Sequence, residues 1–213
     1  MSRAIFYEYF RSSAAYRVRI ALKLKGIEYE SRPIDLREGE QGSDEYRALN
    51  PQGLVPMLEI DGHRLTQSLA IIVYLDMRYP NCPLLPASAD ARSHVICLSE
   101  TIACDIHPLN NLRVLKYLKG ELGHSQEEID RWYAHWITEG LTALEALAAT
   151  RAGAFLVGDA PTAADCCLVP QLFNARRFNV PIDAYPTLLR VDENANKLDA
   201  FAAAHPDRQE QMQ

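Results

Sequence analysis

Arg11, Ser12 and Ser13 stand together where strand-like sequence gives way to a helical pattern. A hydroxyl at a helix start has two uses. It can accept from the unpaired backbone N–H groups there and simply cap the helix. It can also serve an anion that those N–H groups and the positive end of the helix dipole already favour. Gln67 and Ser68 repeat the arrangement at the opening of a later helix. Val55-Pro56 is a candidate cis peptide, because X-Pro is the bond type for which cis costs little; a plain strand starting at proline is the alternative. His107 and Asn111 fall four residues apart in helical sequence, which places them on one face. The five cysteines, Cys82, Cys97, Cys104, Cys166 and Cys167, are odd in number and fit neither zinc nor C-x-x-C spacing, so they read as small buried apolar residues in a reducing compartment. No Ser-His-Asp, Cys-His or metal-ligand pattern accompanies them.

The elements that must hold these residues fall into two halves. Residues 4–8 read as a strand, and residues 13–25 as a helix with Val18, Ile20, Ala21, Leu22 and Leu24 at helical spacing, ended by Gly26. A strand over 28–33, a short helix over 43–49 and a hairpin follow, the hairpin built from 55–60, an Asp61-Gly62 turn and 63–65. A helix from Gln67 to Tyr79 completes the order β-α-β-α-β-β-α. Pro80, Pro83 and Pro86 mark a linker. Beyond it strand signals vanish. A long helical pattern runs over 88–119 with a kink at Pro108, another over 126–150, and a third opens at Thr162-Ala163-Ala164-Asp165, a capping-box variant. The reading is an α/β domain over 1–81 and an all-helical domain over 88–213.

Composition bounds the function. The chain has 213 residues, 48% of them hydrophobic, with a net charge of −6, so a packed core is expected and disorder is not. No basic block exists to displace counterions from a nucleic acid or to meet an anionic membrane. No apolar run approaches the ~20 residues a membrane helix needs. Strand-like sequence begins almost at Met1, which leaves no room for a signal peptide and points to the cytoplasm.

The segment from Tyr9 to Leu22, with its Arg11-Ser12-Ser13, resembles the signature of the zeta-class glutathione transferases, also called maleylacetoacetate isomerases. Asn50-Pro51-Gln52-Gly53-Leu54-Val55-Pro56 is similar to their glutathione-backbone loop, and Gln67 to Ile72 to their γ-glutamyl site. Val157-Gly158-Asp159 through Asp165, with Leu168-Val169-Pro170-Gln171, resembles their helix-capping segment. The likeness covers nearly the whole chain. It departs in two places: Ala14 stands where the family carries cysteine, and Tyr16 where tryptophan is usual. Losing the cysteine leaves the hydroxyl donor in place.

The resemblance implies a thioredoxin-like glutathione-binding domain, a helical substrate-binding domain, and a homodimer in which the first domain of one subunit lies against the second of the other. It implies that a serine hydroxyl, Ser12 first and Ser13 beside it, holds the glutathione sulfur as thiolate. Arg17, Gln41, Val55, Pro56, Gln67 and Ser68 would bind the rest of the tripeptide, with His107 and Asn111 bordering the cleft. Arg11 and Arg177 would take the carboxylates of a maleyl diketo acid, since guanidinium suits planar carboxylates; Arg176 would point elsewhere. The implied reaction is glutathione-dependent isomerisation of maleylacetoacetate to fumarylacetoacetate in tyrosine and phenylalanine breakdown, with no metal. The alternatives are maleylpyruvate as substrate, glutathione transfer to α-haloacids and, from another class, a non-catalytic binding module.

Overall fold

Strand β1 (Ala4–Glu8) alternates buried Ala4, Phe6 and Glu8 with half-buried Ile5 and Tyr7, the period-two pattern of a central strand. The computed structural model describes residues 3–210. Helix α1 (Ser13–Leu24) carries the chain from β1 to the parallel strand β2 (Tyr29–Pro33). A parallel pair needs such a crossover. The helix ends in a Schellman turn: Ile27 N–H donates to the Leu22 carbonyl at 2.9 Å, Gly26 N–H to that of Lys23 at 3.1 Å, and Gly26 takes φ 65°. Helix α2 (Asp44–Leu49) precedes β3 (Met57–Ile60) and β4 (His63–Thr66), which turn at Asp61-Gly62 with φ 52° and 80°. The sheet order is β2-β1-β3-β4, with β3 antiparallel to both neighbours. Helix α3 (Ser68–Arg78) follows, and Phe6, Met57, Leu58, Ile71, Ile72 and Leu75 fill the core. The mixed sheet, its helices and the helical unit that follows make the α/β plus all-α architecture of the sequence reading.

The contacts divide the chain into two units, one running to Leu85 and resuming from Asn196, the other Pro86–Ala195. The second unit begins with α4 (Ala89–Glu100). Here the structure corrects the expectation of one kinked helix over 88–119. A π-helical turn at Thr101–Ile106 and a 3₁₀ turn at His107–Asn110 follow α4, and Asn111 is extended (φ −67°, ψ 143°) before α5 (Leu112–Gly120). Pro108 has no N–H to continue the helical ladder, which gives a physical reason for the break. Helix α6 (Gln126–Ala148) passes so near the π turn that a Cβ on Gly140 would lie 2.2 Å from Ile106 Cγ1. Helices α7 (Ala163–Arg177) and α8 (Pro186–Asn196) complete this unit.

The chain end returns to the first unit. Helix α9 (Asp199–Ala204) packs on α1, and the short α10 (Pro206–Glu210) follows it. The sequence expectation places this stretch in the helical domain and does not delimit α8 to α10. The cysteine reading also divides. Cys166 and Cys167 are buried, whereas Cys82, Cys97 and Cys104 are exposed. Among the described residues no helix is long and apolar enough to cross a membrane, and no group of His, Cys, Asp and Glu could hold a metal ion.

Candidate active site

A tight turn joins β1 to α1, closed by Ser12 N–H donating to the Tyr9 carbonyl at 2.9 Å. Ser12 is the N-cap of α1, with extended backbone (φ −69°, ψ 119°), and its Oγ accepts from the Ala15 N–H at 3.2 Å. A hydroxyl that accepts on a lone pair still has its proton to donate. The two uses of a helix-start serine are therefore compatible in Ser12, which is half-buried, while Ser13 is buried. The first turn of α1 holds no acidic residue, so nothing local offsets the positive helix end. Arg11 is exposed, its guanidinium 4.8 Å from the Phe10 ring centre.

The start of α3 is built differently. Gln67 adopts φ 67°, ψ 115°, a conformation rare for a residue with a side chain, and its amide donates to Gln52 Oε1 at 2.8 Å. Strain of this kind persists where the surroundings over-determine it and clusters at ligand clamps. Ser68, the first helical residue, is buried, and its Oγ accepts from Arg17 Nη1 at 3.3 Å. Arg17 is itself buried, so α1 brings a cation to the opening of α3. That opening, too, has no acidic residue in its first turn.

Between them lies the loop before β3. Asn50 Nδ2 and Tyr46 Oη both donate to the Leu54 carbonyl, at 2.6 and 2.8 Å. Val55–Pro56 is cis, the first of the two readings that the sequence leaves open. Gly53 has φ 60°, and a Cβ there would stand 2.8 Å from the Gln41 carbonyl oxygen, so only glycine permits that approach. Gln41 is thereby set against this loop, and its Oε1 is buried with no hydrogen-bond partner among the described residues. One connected set results: Ser12 and Arg17 on α1, Arg17 to Ser68, Gln67 to Gln52, and the Gln52 loop to Val55, Pro56 and Gln41. Asn50, Gln52 and Gly53 belong to the loop segment that the resemblance names, without individual roles there; Tyr46 lies outside it, and no sequence signal marks its bond to Leu54.

The second unit holds the remaining residues. His107 is half-buried and begins the 3₁₀ turn, while Asn111 caps α5, its Oδ1 accepting from Arg113 N–H at 3.1 Å. The expectation that both lie on one α-helical face fails, because the helix breaks between them. Arg177 is exposed at the end of α7, its guanidinium 4.8 Å from the centre of the Phe178 ring. Phe178 stacks on Tyr133 at 4.0 Å. Arg176 instead pairs with Asp192 at 2.7 Å, and so is directed away from any role shared with Arg177.

Two family descriptions match the chain: "Glutathione S-transferase, N-terminal domain" over residues 2–77 and "Glutathione S-transferase, C-terminal domain" over 126–194. A probable maleylacetoacetate isomerase of Vibrio cholerae is 50% identical over 98% of both chains. A solved holo structure of maleyl pyruvate isomerase, a bacterial glutathione transferase in the zeta class, superposes with a TM-score of 0.94 at 45% identity, covering 96% of this chain and 98% of that one. Maleylacetoacetate isomerase from Anaeromyxobacter dehalogenans, solved with dicarboxyethyl glutathione and citrate in its active site, gives a TM-score of 0.88 at 44% identity over 97% and 96%.

Proposed function

The chain belongs to the glutathione S-transferase family, in its zeta class, and from that premise we propose that it is a glutathione-dependent cis–trans isomerase converting maleylacetoacetate to fumarylacetoacetate. The observation that carries the reading is the state of Ser12: a half-buried N-cap whose lone pair serves Ala15 and whose O–H remains for a ligand, at a helix start with no acidic residue.

The residues present fit glutathione. Its γ-glutamyl carboxylate suits the opening of α3, where Ser68 and the buried Arg17 cation meet. Its cysteinyl backbone suits the edge offered by Val55 before cis-Pro56, in the manner of an added strand. Gln41, whose buried amide oxygen has no partner among the described residues, suits the glycyl N–H as an acceptor. When bound, glutathione supplies a thiol whose deprotonated form adds reversibly to the cis double bond, so that rotation and release leave the trans isomer. The chain's own contribution is electrostatic and positional. The Ser12 hydroxyl donates to the sulfur and, with the N–H groups and dipole of α1, favours thiolate over a thiol of ordinary pKa near ~8.5. Arg11 and Arg177 are the cations assigned to the substrate's two carboxylates and to charge that develops between them. On this reading Ser12, Arg17, Gln41, Val55 and Ser68 serve glutathione, Arg11 and Arg177 serve the diketo acid, and the protein is a cytoplasmic homodimer.

Maleylpyruvate is the second reading, favoured by the likeness to maleyl pyruvate isomerase. The two acids differ in the span between their carboxylates. An absorbance assay of both, with and without glutathione, tests the proposal: turnover should require glutathione, and kcat/KM should be higher for maleylacetoacetate. Isomerisation that proceeds equally without glutathione would overturn the mechanism, and a higher kcat/KM for maleylpyruvate would transfer the assignment to that acid.

A further inference from the structure

Arg19 lies wholly inside the first unit, on α1 two turns past Ser12. A buried arginine must have partners, because an unpaired interior charge is costly. Those of Arg19 come from two separate stretches of chain, residues 8–10 and the end of α9. Nη1 pairs with the buried Glu8 carboxylate at the end of β1, whose other oxygen accepts from Ser31 Oγ at 2.9 Å. Nη2 donates to the Phe10 carbonyl at 2.8 Å. Nε donates to the Ala204 carbonyl at 3.0 Å, at the C-terminal end of α9, where helix carbonyls lack partners within the helix. Below the guanidinium lies the Tyr16 ring, 5.3 Å away, which meets His205 edge-on.

Phe10 is the residue before Arg11, within the turn that sets Ser12. The Phe10 carbonyl thus ties the turn to a planar fork that Glu8 and the chain end hold in place. Lysine, a single ammonium on a flexible stem, could keep the charge beside Glu8 but could not make all three contacts in this geometry.

We propose that Arg19 is a positioning residue for the thiolate site, and that the C-terminal stretch from Asp199 to His205 is coupled to that site through it. This inference rests on the reading of Ser12 as the hydroxyl that holds the glutathione sulfur. Arg19→Lys should lower kcat/KM by about tenfold to a hundredfold, the scale of a small misplacement at a reacting centre. It should also raise the pH at which bound glutathione ionises by about half a unit to one unit. A merely structural arginine would lower the melting temperature and leave that ionisation unchanged, which would overturn the proposal.

Hydrogen exchange on the unaltered protein gives a test that does not depend on the variant folding. Saturation with glutathione should slow exchange in residues 9–16 and, through Arg19, in residues 199–206. Protection of 9–16 alone would overturn the coupling while sparing the reading of Ser12. No protection in either stretch would overturn both.

Discussion

Helix α1 and helix α7 both open on a hydroxyl residue, yet the two openings are finished in opposite ways. At α7, the buried Asp165 carboxylate accepts from Thr162 N–H at 2.7 Å, Thr162 Oγ1 at 2.8 Å and Leu156 N–H at 2.8 Å. The positive helix end is answered from within the chain. At α1 no acid stands in the first turn, and Ser12 satisfies one N–H while keeping its own proton to give. The same local chemistry builds a structural joint where the protein supplies the anion and, on the proposed function, a binding position where glutathione would supply it. Helix α3 follows α1 in this respect, with Arg17 adding a buried cation at Ser68.

The comparison breaks if removing the two hydrogen-bonding groups has similar consequences. Ser12→Ala should lower kcat/KM by about 10²–10³-fold, as loss of one preorganised donor to developing charge does, while stability falls by only about 1 kcal/mol for the lost cap. Steady-state kinetics beside thermal melting separates the two. Asp165→Ala should do the reverse. It leaves three buried donors unanswered and should cost about 3 kcal/mol, read as a drop in denaturant midpoint, with glutathione affinity of the folded fraction unchanged.

Asp165 also has a pH signature. Burial pushes its carboxyl up to about 6, against the pull of the hydrogen bonds it accepts. A carboxyl whose folded pKa lies above its unfolded value of about 4 holds more proton in the folded state. Its contribution therefore favours folding at low pH and declines as pH rises through about 4 to 6. Denaturant melts across that range should show this slope in the unaltered protein and lose it in Asp165→Asn.

A smaller effect sharpens the contrast within the second unit. Arg177→Ala should raise KM for the diketo acid about tenfold and change the KM for glutathione little, whereas Arg176→Ala, which breaks a pair with Asp192, should affect stability alone. Initial-rate measurements with each substrate varied in turn check the division.

Much of this was legible because it is local. The end of α1 at Gly26, the Asp61-Gly62 hairpin and the box at Thr162-Asp165 each follow from a few adjacent residues, whereas adjacent residues left the bond at Pro56 open between cis and a plain strand start. What escaped the sequence depends on distant partners. Gln41 meets Gly53 across a folded loop, and its orphaned oxygen cannot be seen in a charged, irregular stretch. Glu8 looks like the polar end of a strand, and Arg19 like a charge interrupting an apolar helix face, until burial pairs them. The break between His107 and Asn111 was read only as a kink. How sharply a proline-containing helix breaks depends on its packing neighbours, and the close pass of Gly140 by Ile106 joins residues more than 30 positions apart.

The central claim is that the opening of α1, through the Ser12 hydroxyl, holds glutathione as thiolate. An ultraviolet titration of the protein-bound tripeptide against pH measures this directly. The thiolate signal should appear with a midpoint well below the ~8.5 of an ordinary thiol in the unaltered protein and move back toward that value in Ser12→Ala. A midpoint near 8.5 in the unaltered protein, or one that Ser12→Ala leaves in place, would contradict it.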